Sequence, residues 1–230
     1  PLPSSEVDGV SLSFTNVVAL SSDQSGRTLH VFDDTGAGIT VWEIQIDIDT
    51  DEITSVTTLT GSLNDGTDNI TGVTDVTRDI DGNLFFVGLT ATGGTTQQLF
   101  MLDTTAGTAN TAVLVGALTD GAAVTATIKG ITFGQINDYT TNPFNTDIYF
   151  VIDTGAGDEL YTANYFFDVN VGVSVTISAV VGGSITGAVD TTAISVNQNG
   201  DLITMDAGGG TPQQIRIIES TGYDPSLAVV

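Results

Sequence analysis

Short apolar runs alternate along the chain with clusters of Gly, Asp, Asn and Thr. Residues 41–47 alternate apolar and polar side chains with a period of two, which is typical of a strand with one buried face. Residues 84–89 form a nearly continuous apolar run instead. No stretch places apolar residues at helical spacing over several turns. The pattern therefore predicts an all-β protein built from many short strands separated by turns.

The strand pattern itself is repeated. A hairpin turn followed by an apolar strand recurs at residues 23–32, 79–87 and 197–205, with a looser copy at 142–151. The spacing of these copies is a period of about 58 residues, and a fixed period of this size indicates one supersecondary unit used several times. Each unit has room for about four short strands joined by hairpins, and such a unit is the blade of a β-propeller.

We therefore expect a single domain over residues 1–230, a four-bladed β-propeller with repeats at about 15–66, 67–121, 122–186 and 187–222. The last repeat offers three strands, whereas residues 10–14 form an unassigned strand at the other end. The simplest prediction places this N-terminal strand, with Val10, Leu12 and Phe14, at the outer edge of the last blade, because ring closure leaves no open seam. The alternative donates the same strand to a neighbouring molecule and builds a polymer.

One unit carries a recognisable motif. Gln-Gln-Leu-Phe-Met-Leu-Asp-Thr-Thr-Ala-Gly at residues 97–107 follows Asp-Gly-Asn-Leu-Phe-Phe-Val at residues 81–87. This combination resembles secreted bacterial repeat propellers, whose repeats pair an Asp-Gly-x-Leu strand with a second strand ending in Asp-x-x-Thr-Gly. The resemblance implies a propeller fold and secretion. It implies no activity, because one fold carries many functions.

The charge balance narrows the choice of partners. The chain has 28 acidic and 4 basic residues, a net charge of -24 and no cysteine. A polyanion repels phosphate backbones and anionic lipids, so we expect neither nucleic-acid binding nor membrane insertion. Internal ion pairs cannot neutralise this charge, and the counter-charge has to come from solvent ions, a bound metal or a partner.

The start of the chain also bears on location. Pro1 takes the place of an initiator Met, and no basic or apolar leader follows it. We interpret this as a secreted product whose signal peptide has been removed, at the cell surface or outside the cell. A trimmed chain is the alternative.

Two acidic clusters are the candidate calcium sites. The first contains Asp47, Asp49 and Asp51, and the second contains Asp75, Asp79 and Asp81. Ca²⁺ prefers carboxylate oxygens, and three carboxylates on one face of a strand end would repel each other unless a cation lay between them. The first cluster is no EF-hand, since Glu52 stands where that loop requires Gly. Solvated turns are the alternative at both clusters, and calcium is the one candidate cofactor.

The remaining chemistry-bearing residues are few. Tyr161, Tyr165 and Phe166 form the densest aromatic group, which we interpret as a candidate glycan-binding platform, with strand packing as the alternative. His30 is the one histidine, and we expect a strand residue with a local hydrogen bond because no nucleophile elbow accompanies it. Asn69-Ile70-Thr71 is a lone glycosylation sequon.

These observations favour a non-enzymatic extracellular structural protein, a subunit of a filament, layer or matrix, with calcium as a stabiliser. The outer strands predicted at residues 112–118 and 171–181 carry no charge, so they lack the groups that normally prevent edge-to-edge pairing. We therefore expect self-association through strand edges or the N-terminal strand, unless loops cover the edges. The first alternative is a glycan- or protein-binding propeller module, and the second is a polysaccharide hydrolase or lyase with acidic residues at the mouth of the channel.

Overall fold

The structure is a computed structural model, and it describes residues 6–7, 10–11, 13–23, 25–47, 49–50, 52–79, 82–104, 111–134, 145–166, 174–184, 191–196, 202–206, 214–219 and 228–229. Every regular element in this part of the chain is a β-strand. In chain order the strands are β1 (Glu6–Val7), β2 (Val10–Ser11), β3 (Val17–Ser22), β4 (Thr28–Asp34), β5 (Ile39–Asp47), β6 (Glu52–Thr60), β7 (Val76–Arg78), β8 (Leu84–Gly88), β9 (Gln98–Leu102), β10 (Val113–Thr119), β11 (Ile128–Phe133), β12 (Asn145–Asp153), β13 (Asp158–Phe166), β14 (Ser174–Thr176), β15 (Ser178–Ser184), β16 (Thr191–Val196), β17 (Leu202–Asp206), β18 (Gln214–Glu219) and β19 (Ala228–Val229).

The strands form sheets that follow the predicted repeats. The larger sheets have the orders β3-β4-β5-β6, β14-β10-β9-β8-β7, β11-β12-β13-β15 and β16-β17-β18-β19, and β1 pairs with β2 alone. Neighbouring strands along the chain pair antiparallel, as β4 does with β5 and β12 with β13. Each large sheet is built mainly from the strands of one repeat, which is compatible with four blades, but the sheet of β7 to β10 also contains β14 from the third repeat. The blade number and the single domain stay predictions.

The chain divides into two compact units. The first comprises residues 1–94 and 100–114, and the second comprises residues 95–99 and 115–230. The core of the first unit is built on Phe32, Phe86 and Phe100, which are all fully buried. The ring centroids of Phe32 and Phe86 lie 5.3 Å apart, and those of Phe86 and Phe100 lie 5.7 Å apart. Burying each of these side chains contributes about 1.5–3 kcal/mol to stability.

The second unit has a smaller aliphatic core. Val151 and Leu160 from the sheet of β11 to β13 pack against Ile194 and Leu202 from the sheet of β16 to β19. Along β16, two more exposed residues separate the buried Thr191 from the buried Ile194, and the register with β17 shifts between Thr191 and Ala193. Sheet-on-sheet packing of this kind positions the turns at the sheet ends, where the candidate site lies.

The predicted closure by the N-terminal strand is wrong. The outer position of the sheet of β16 to β18 belongs to β19, which pairs with Ile218 and Glu219. Val10 of β2 instead pairs with Val7 of β1 in a separate two-stranded sheet. β19 lies only a short distance after β18 in sequence, and pairing two such neighbours costs less entropy than pairing the two ends of the whole chain.

The outer strands also differ from the prediction. The segment expected as one strand at residues 171–181 contributes two strands to two sheets: β14 pairs in parallel with Ala117–Thr119 of β10, and β15 pairs with β13. Ile177 lies between them, is buried, and donates its N–H to the Thr119 carbonyl at 2.8 Å. The edge of β10 is therefore covered at its C-terminal end. Val113 and Leu114, at its start, stay 56% and 40% exposed.

Candidate functional site

The second unit contains a cleft beside the loop that joins β10 to β11. The cleft has a volume of about 240 Å³ and is open to solvent on one side. Its lining combines one aromatic ring, one carboxylate, two hydroxyls and a small apolar floor: Tyr161, Asp120, Thr125, Thr154, Val124 and Ile152, together with alanines of the loop. Small-ligand sites combine apolar surface with a few polar groups in this way, and this cleft is smaller than most of them.

Backbone hydrogen bonds fix the loop side of the cleft. The Val124 N–H donates to the Leu118 carbonyl at 2.9 Å, and the Val124 carbonyl accepts from the Gln97 N–H at 2.8 Å. The Asp120 N–H donates to the Ala122 carbonyl at 3.0 Å, which closes a tight turn at the exposed end. The loop is thus joined to β10 at its base, and the Asp120 carboxylate lies at its rim.

The hairpin between β12 and β13 forms the other side. The Thr154 N–H and hydroxyl both donate to the Gly157 carbonyl, at 3.1 and 2.8 Å. Gly155 has a φ of 77°, a left-handed conformation that favours glycine, and its N–H donates to the Asp153 carboxylate at 2.8 Å. The sequence Asp-Thr-Gly-Ala-Gly therefore specifies this turn through side-chain and glycine chemistry.

Tyr161 supplies the aromatic wall. Burial raises the pKa of its hydroxyl, and the carboxylates of Glu159 and Asp120 raise that pKa further because they oppose a phenolate. The hydroxyl therefore stays protonated at neutral pH. The cleft consequently presents a neutral ring face beside hydrogen-bond acceptors, an arrangement that can bind a polyhydroxylated ligand.

The rest of the predicted aromatic platform is separated from Tyr161 by the geometry of the strand. Tyr165 pairs with Thr146 and Phe166 with Asn145, at the far end of β13. Only the backbone of these two residues is described. Tyr161 is therefore the predicted ligand-binding residue that the structure places in the cleft.

A buried ion pair lies in the same unit, and no local motif marks it in the sequence. Lys129, the one lysine of the chain, places its Nζ 3.0 Å from the Asp158 carboxylate and 3.4 Å from that of Asp153. Asp158 is 2% exposed and also accepts the Thr191 N–H. The carboxylate thereby joins the start of β13 to the start of β16. In the sequence, Lys129 is distinguished only as the one lysine among 4 basic residues.

The first acidic cluster is a turn where the structure describes it. Asp47 ends β5 and is exposed, and its carboxylate accepts the Asp49 N–H at 2.9 Å. Asp49 belongs to the turn and not to the strand, so the expectation that these carboxylates share a strand face is wrong. The chain leaves the strand here because Asp favours a hydrogen bond to its own backbone over a place in a ladder. Asp51 lies outside the described residues.

The second cluster is also organised around a hairpin. The Asp79 carboxylate accepts the backbone N–H and the side-chain amide of Asn83, both at 2.8 Å. The Asp75 carboxylate accepts the Val76 N–H at 2.9 Å. Asp81 lies outside the described residues. Within the described ranges, no three His, Asp or Glu side chains come together as a metal-binding group. Calcium binding stays a prediction.

His30 lies in β4 with its side chain fully buried, and its Nε2 is 3.3 Å from a Glu43 carboxylate oxygen. Its Nδ1 is buried without a hydrogen-bond partner. Burial lowers the pKa of the imidazole, and the Arg78 guanidinium lowers it further, whereas Glu43 raises it. His30 thus has the local hydrogen bond expected from its position in a strand.

Phe14, predicted to take part in assembly, has a partner within its own chain. Its ring lies edge-on to Trp42 of β5, with ring centroids 6.3 Å apart. The following residues are anchored as well, since the N–H groups of Thr15 and Asn16 donate to the buried Asp33 carboxylate at 2.9 and 2.7 Å. Val10 is described only as backbone, and Leu12 lies outside the described residues.

The sheet of β16 to β19 exposes apolar side chains on one face. Met205 of β17 and Ile215 of β18 are register partners, and they are 41% and 74% exposed. The opposite face carries the buried Ile194 and Leu202. The outer edge of β18 pairs with β19 only at Ile218 and Glu219, which leaves the rest of that edge without a strand partner in the part of the chain described.

Comparison with known proteins identifies the fold. No known family matches the sequence, and no curated protein is similar to it. Among solved structures, the chain is similar to a gluconolactonase from Xanthomonas campestris, with a TM-score of 0.54, 13% identity, and coverage of 91% of this chain and 60% of that one. It is also similar to TolB from Acinetobacter baumannii, with a TM-score of 0.51, 9% identity, and coverage of 93% of this chain and 42% of that one. Both are β-propellers, so the chain has a β-propeller fold, and it spans less than two thirds of either protein. Within the described residues, no helix is long and apolar enough to cross a membrane.

Proposed function

We propose that the chain is a non-enzymatic extracellular structural protein that assembles with further copies of itself through the sheet of β16 to β19. The observation that carries this proposal is the exposure of Met205 and Ile215 side by side on one sheet face. Exposed apolar side chains on neighbouring strands mark an interaction surface more often than a single exposed residue does. The part of the β18 edge that has no strand partner among the described residues adjoins this face and offers backbone groups to an added strand.

The charge of the molecule sets the condition for assembly. With a net charge of -24, two copies repel each other at low ionic strength. Cations screen this repulsion, and calcium would do so most strongly if carboxylates of two copies shared it. Assembly is therefore expected in high salt or calcium and is lost when both are removed.

The proposal is tested with a pair of charge-introducing variants. Ile215→Asp places a charge on the assembling face, and Leu20→Asp places the same charge on β3, where Leu20 is 52% exposed. Sedimentation velocity in calcium and in high salt should show large species for the native protein and for Leu20→Asp, and a monomer for Ile215→Asp. A native protein that remains monomeric under all conditions would sink the proposal, as would equal behaviour of the two variants.

The N-terminal residues test the route of assembly. Deleting residues 1–12 removes Val10 and Leu12 but keeps Phe14 on Trp42. If the N-terminal strand of one copy pairs with the open β18 edge of another, this deletion abolishes filaments or layers seen by negative-stain microscopy. Unchanged assembly of the deletion variant would assign the contact to the apolar face alone.

A second candidate function is glycan binding by the Tyr161 cleft. The favouring observation is the neutral phenol ring beside Asp120 and the hydroxyls of Thr125 and Thr154. On a glycan array, Tyr161→Ala should lose binding because the stacking ring is gone, and Tyr161→Phe should keep part of it. No binding by the native protein to any glycan would remove this candidate.

A further inference from the structure

The sequon Asn69-Ile70-Thr71 lies in the first unit, between β6 and β7. Ile70 is fully buried, and the side chains on either side of it are exposed. The Ile70 N–H donates to the Leu63 carbonyl at 2.9 Å, and the N–H groups of Thr71 and Leu89 exchange hydrogen bonds with each other's carbonyls at 2.9 and 2.8 Å. The extended backbone is thus fixed, and it directs Asn69 and Thr71 to the surface.

The two functional groups of the sequon are largely free. The Asn69 carbonyl oxygen accepts a long hydrogen bond from the Ser62 hydroxyl at 3.4 Å. Its Nδ2 has no acceptor among the residues that the structure describes. The Thr71 hydroxyl reaches the Leu89 carbonyl only at 3.5 Å. The fold therefore uses neither group for its own stability, and a substituent on Nδ2 would break no strong contact.

The surface beside Asn69 has room for a sugar. An open groove of about 540 Å³ is lined by Asn69, Thr71, Leu89, Thr90, Ala91 and Gly94. None of these side chains is charged, although the chain as a whole has a net charge of -24. The carboxylate of Asp68, which precedes the sequon in sequence, is occupied by the N–H and hydroxyl of Thr92. Leu89 and Ala91 offer apolar surface, and the threonines offer hydroxyls, to a neutral hexosamine ring.

We propose that Asn69 is an N-glycosylation site and that its first sugar lies in this groove. The reaction needs an oligosaccharide linked to a lipid pyrophosphate and a transferase of the secretory route. The Asn69 Nδ2 forms a bond to the anomeric carbon, the bond from that carbon to the pyrophosphate oxygen breaks, the lipid pyrophosphate leaves, and the amide proton goes to a base of the transferase. The inference rests on the extracellular location in the proposed function, and it requires no assembly.

The test uses the full chain, secreted from eukaryotic cells through an added signal peptide. Trypsin should release residues 28–78 as one peptide, since Arg27 and Arg78 flank it and no Lys or Arg lies between them, and this peptide contains the one sequon of the chain. Mass spectrometry should find a glycan on this peptide in most molecules, and an amidase specific for Asn-linked glycans should remove it. Asn69→Gln and Thr71→Ala should abolish the added mass, whereas Thr71→Ser should retain it because Ser also completes a sequon.

An unmodified peptide from the folded, secreted protein would overturn the inference. Added mass that persists in Asn69→Gln would overturn it too, because the glycan would then lie elsewhere. Sedimentation velocity of Asn69→Gln in calcium and in high salt measures self-assembly without the glycan, so the two proposals are tested separately. A glycan at Asn69 in a protein that never assembles supports this inference alone, and assembly without a glycan supports the proposed function alone.

Discussion

Gly88, at the end of β8, shows how closely single residues are packed in the first unit. A Cβ atom at this position would lie 2.7 Å from Cγ2 of Ile70 and 3.2 Å from the Thr71 carbonyl oxygen. The residue is glycine because the neighbouring segment crosses the strand without space for a side chain. The same contact holds the sequon segment against β8, so the packing at Gly88 and the exposure of Asn69 have one cause.

We predict that Gly88→Ala destabilises the protein by about 1–3 kcal/mol, because Ile70 and its backbone must move to admit the methyl group. Gly61→Ala is the matched control, since a Cβ there meets nothing within 4 Å and its φ is not left-handed. Urea unfolding followed by fluorescence of Trp42 measures both variants. Equal midpoints for the two would contradict the predicted crowding.

His30 gives the molecule a pH response that can be assigned to one residue. Burial and Arg78 lower its folded-state pKa, and the groups that face it from other elements are Glu43, Arg78 and Asp23. The unfolded chain therefore takes up a proton first as the pH falls below about 6.5. Stability is complete above that pH and decreases from there down to the folded-state pKa, because the unfolded state binds more protons in this window.

We expect the urea midpoint of the native protein to fall between pH 7.5 and pH 5.5, while His30→Phe shows a flatter profile over the same range. Carboxylates titrate below this window, near pH 4. Because the chain has one histidine, its imidazole resonance gives the pKa directly by NMR titration. An imidazole that titrates above 6.5 would refute the predicted direction.

Among elements, one buried side chain joins the start of β13 to the start of β16, in addition to the packing of Leu160 against Ile194. Asp158 accepts the Thr191 N–H and pairs with Lys129, although it is almost fully buried. Removing one partner of a buried pair leaves an uncompensated charge. The exposed partner of the same lysine, Asp153, is 41% exposed in its side chain and lies further from Nζ.

We predict that Lys129→Met costs about 3–5 kcal/mol of folding stability, since Asp158 loses its counter-charge. Asp153→Asn should cost much less, because exposed ion pairs contribute little to stability. Thermal unfolding followed by circular dichroism compares the two variants. If both variants lost a similar amount of folding stability, the burial of Asp158 would not be the cause of the loss in Lys129→Met.

Element positions were predictable wherever an apolar run ended in turn residues. The apolar run at residues 84–89 corresponds to β8, and the motif that begins at residue 97 contains β9. The segment at 171–181 was misassigned because its division at Ile177 depends on pairing with β10, a partner distant in sequence. No charge, proline or turn signal marks the change. Local sequence thus specifies strands, but it does not specify which sheet an outer strand joins.

The candidate site was predictable only in part, because local sequence does not specify which distant residues come together. Aromatic density singled out Tyr161, whereas Asp120 and Thr125 carry no motif and reach the cleft through backbone hydrogen bonds of their loop. The acidic clusters stood out by composition, yet Asp47 and Asp79 use their carboxylates to close turns. An Asp-rich segment therefore indicates a turn as readily as it indicates a metal site.

At the scale of the whole molecule, the net charge of -24 dominates. Self-repulsion destabilises the folded state at low ionic strength, and screening relieves it. A cation bound only by the folded state adds stability in proportion to the logarithm of its concentration.

We expect sodium chloride to raise the melting temperature through screening alone. If the acidic clusters bind calcium, calcium chloride should raise it further than magnesium chloride of the same ionic strength. Differential scanning calorimetry after treatment with a chelator supplies the baseline. Identical curves in calcium and magnesium would eliminate a specific calcium site.

The parallel pairing of β14 with β10 has a consequence for how the protein is made. During translation β10 leaves the ribosome before β11, β12 and β13 have been synthesised, and Ser174–Thr176 emerge only after them. At ordinary elongation speeds this delay is on the order of several seconds. Throughout that interval the nascent chain presents an uncovered, uncharged strand to its neighbours on the same polysome. Slow codons within the third repeat would lengthen the exposure and lower the yield of folded protein, although the finished molecule would be unchanged.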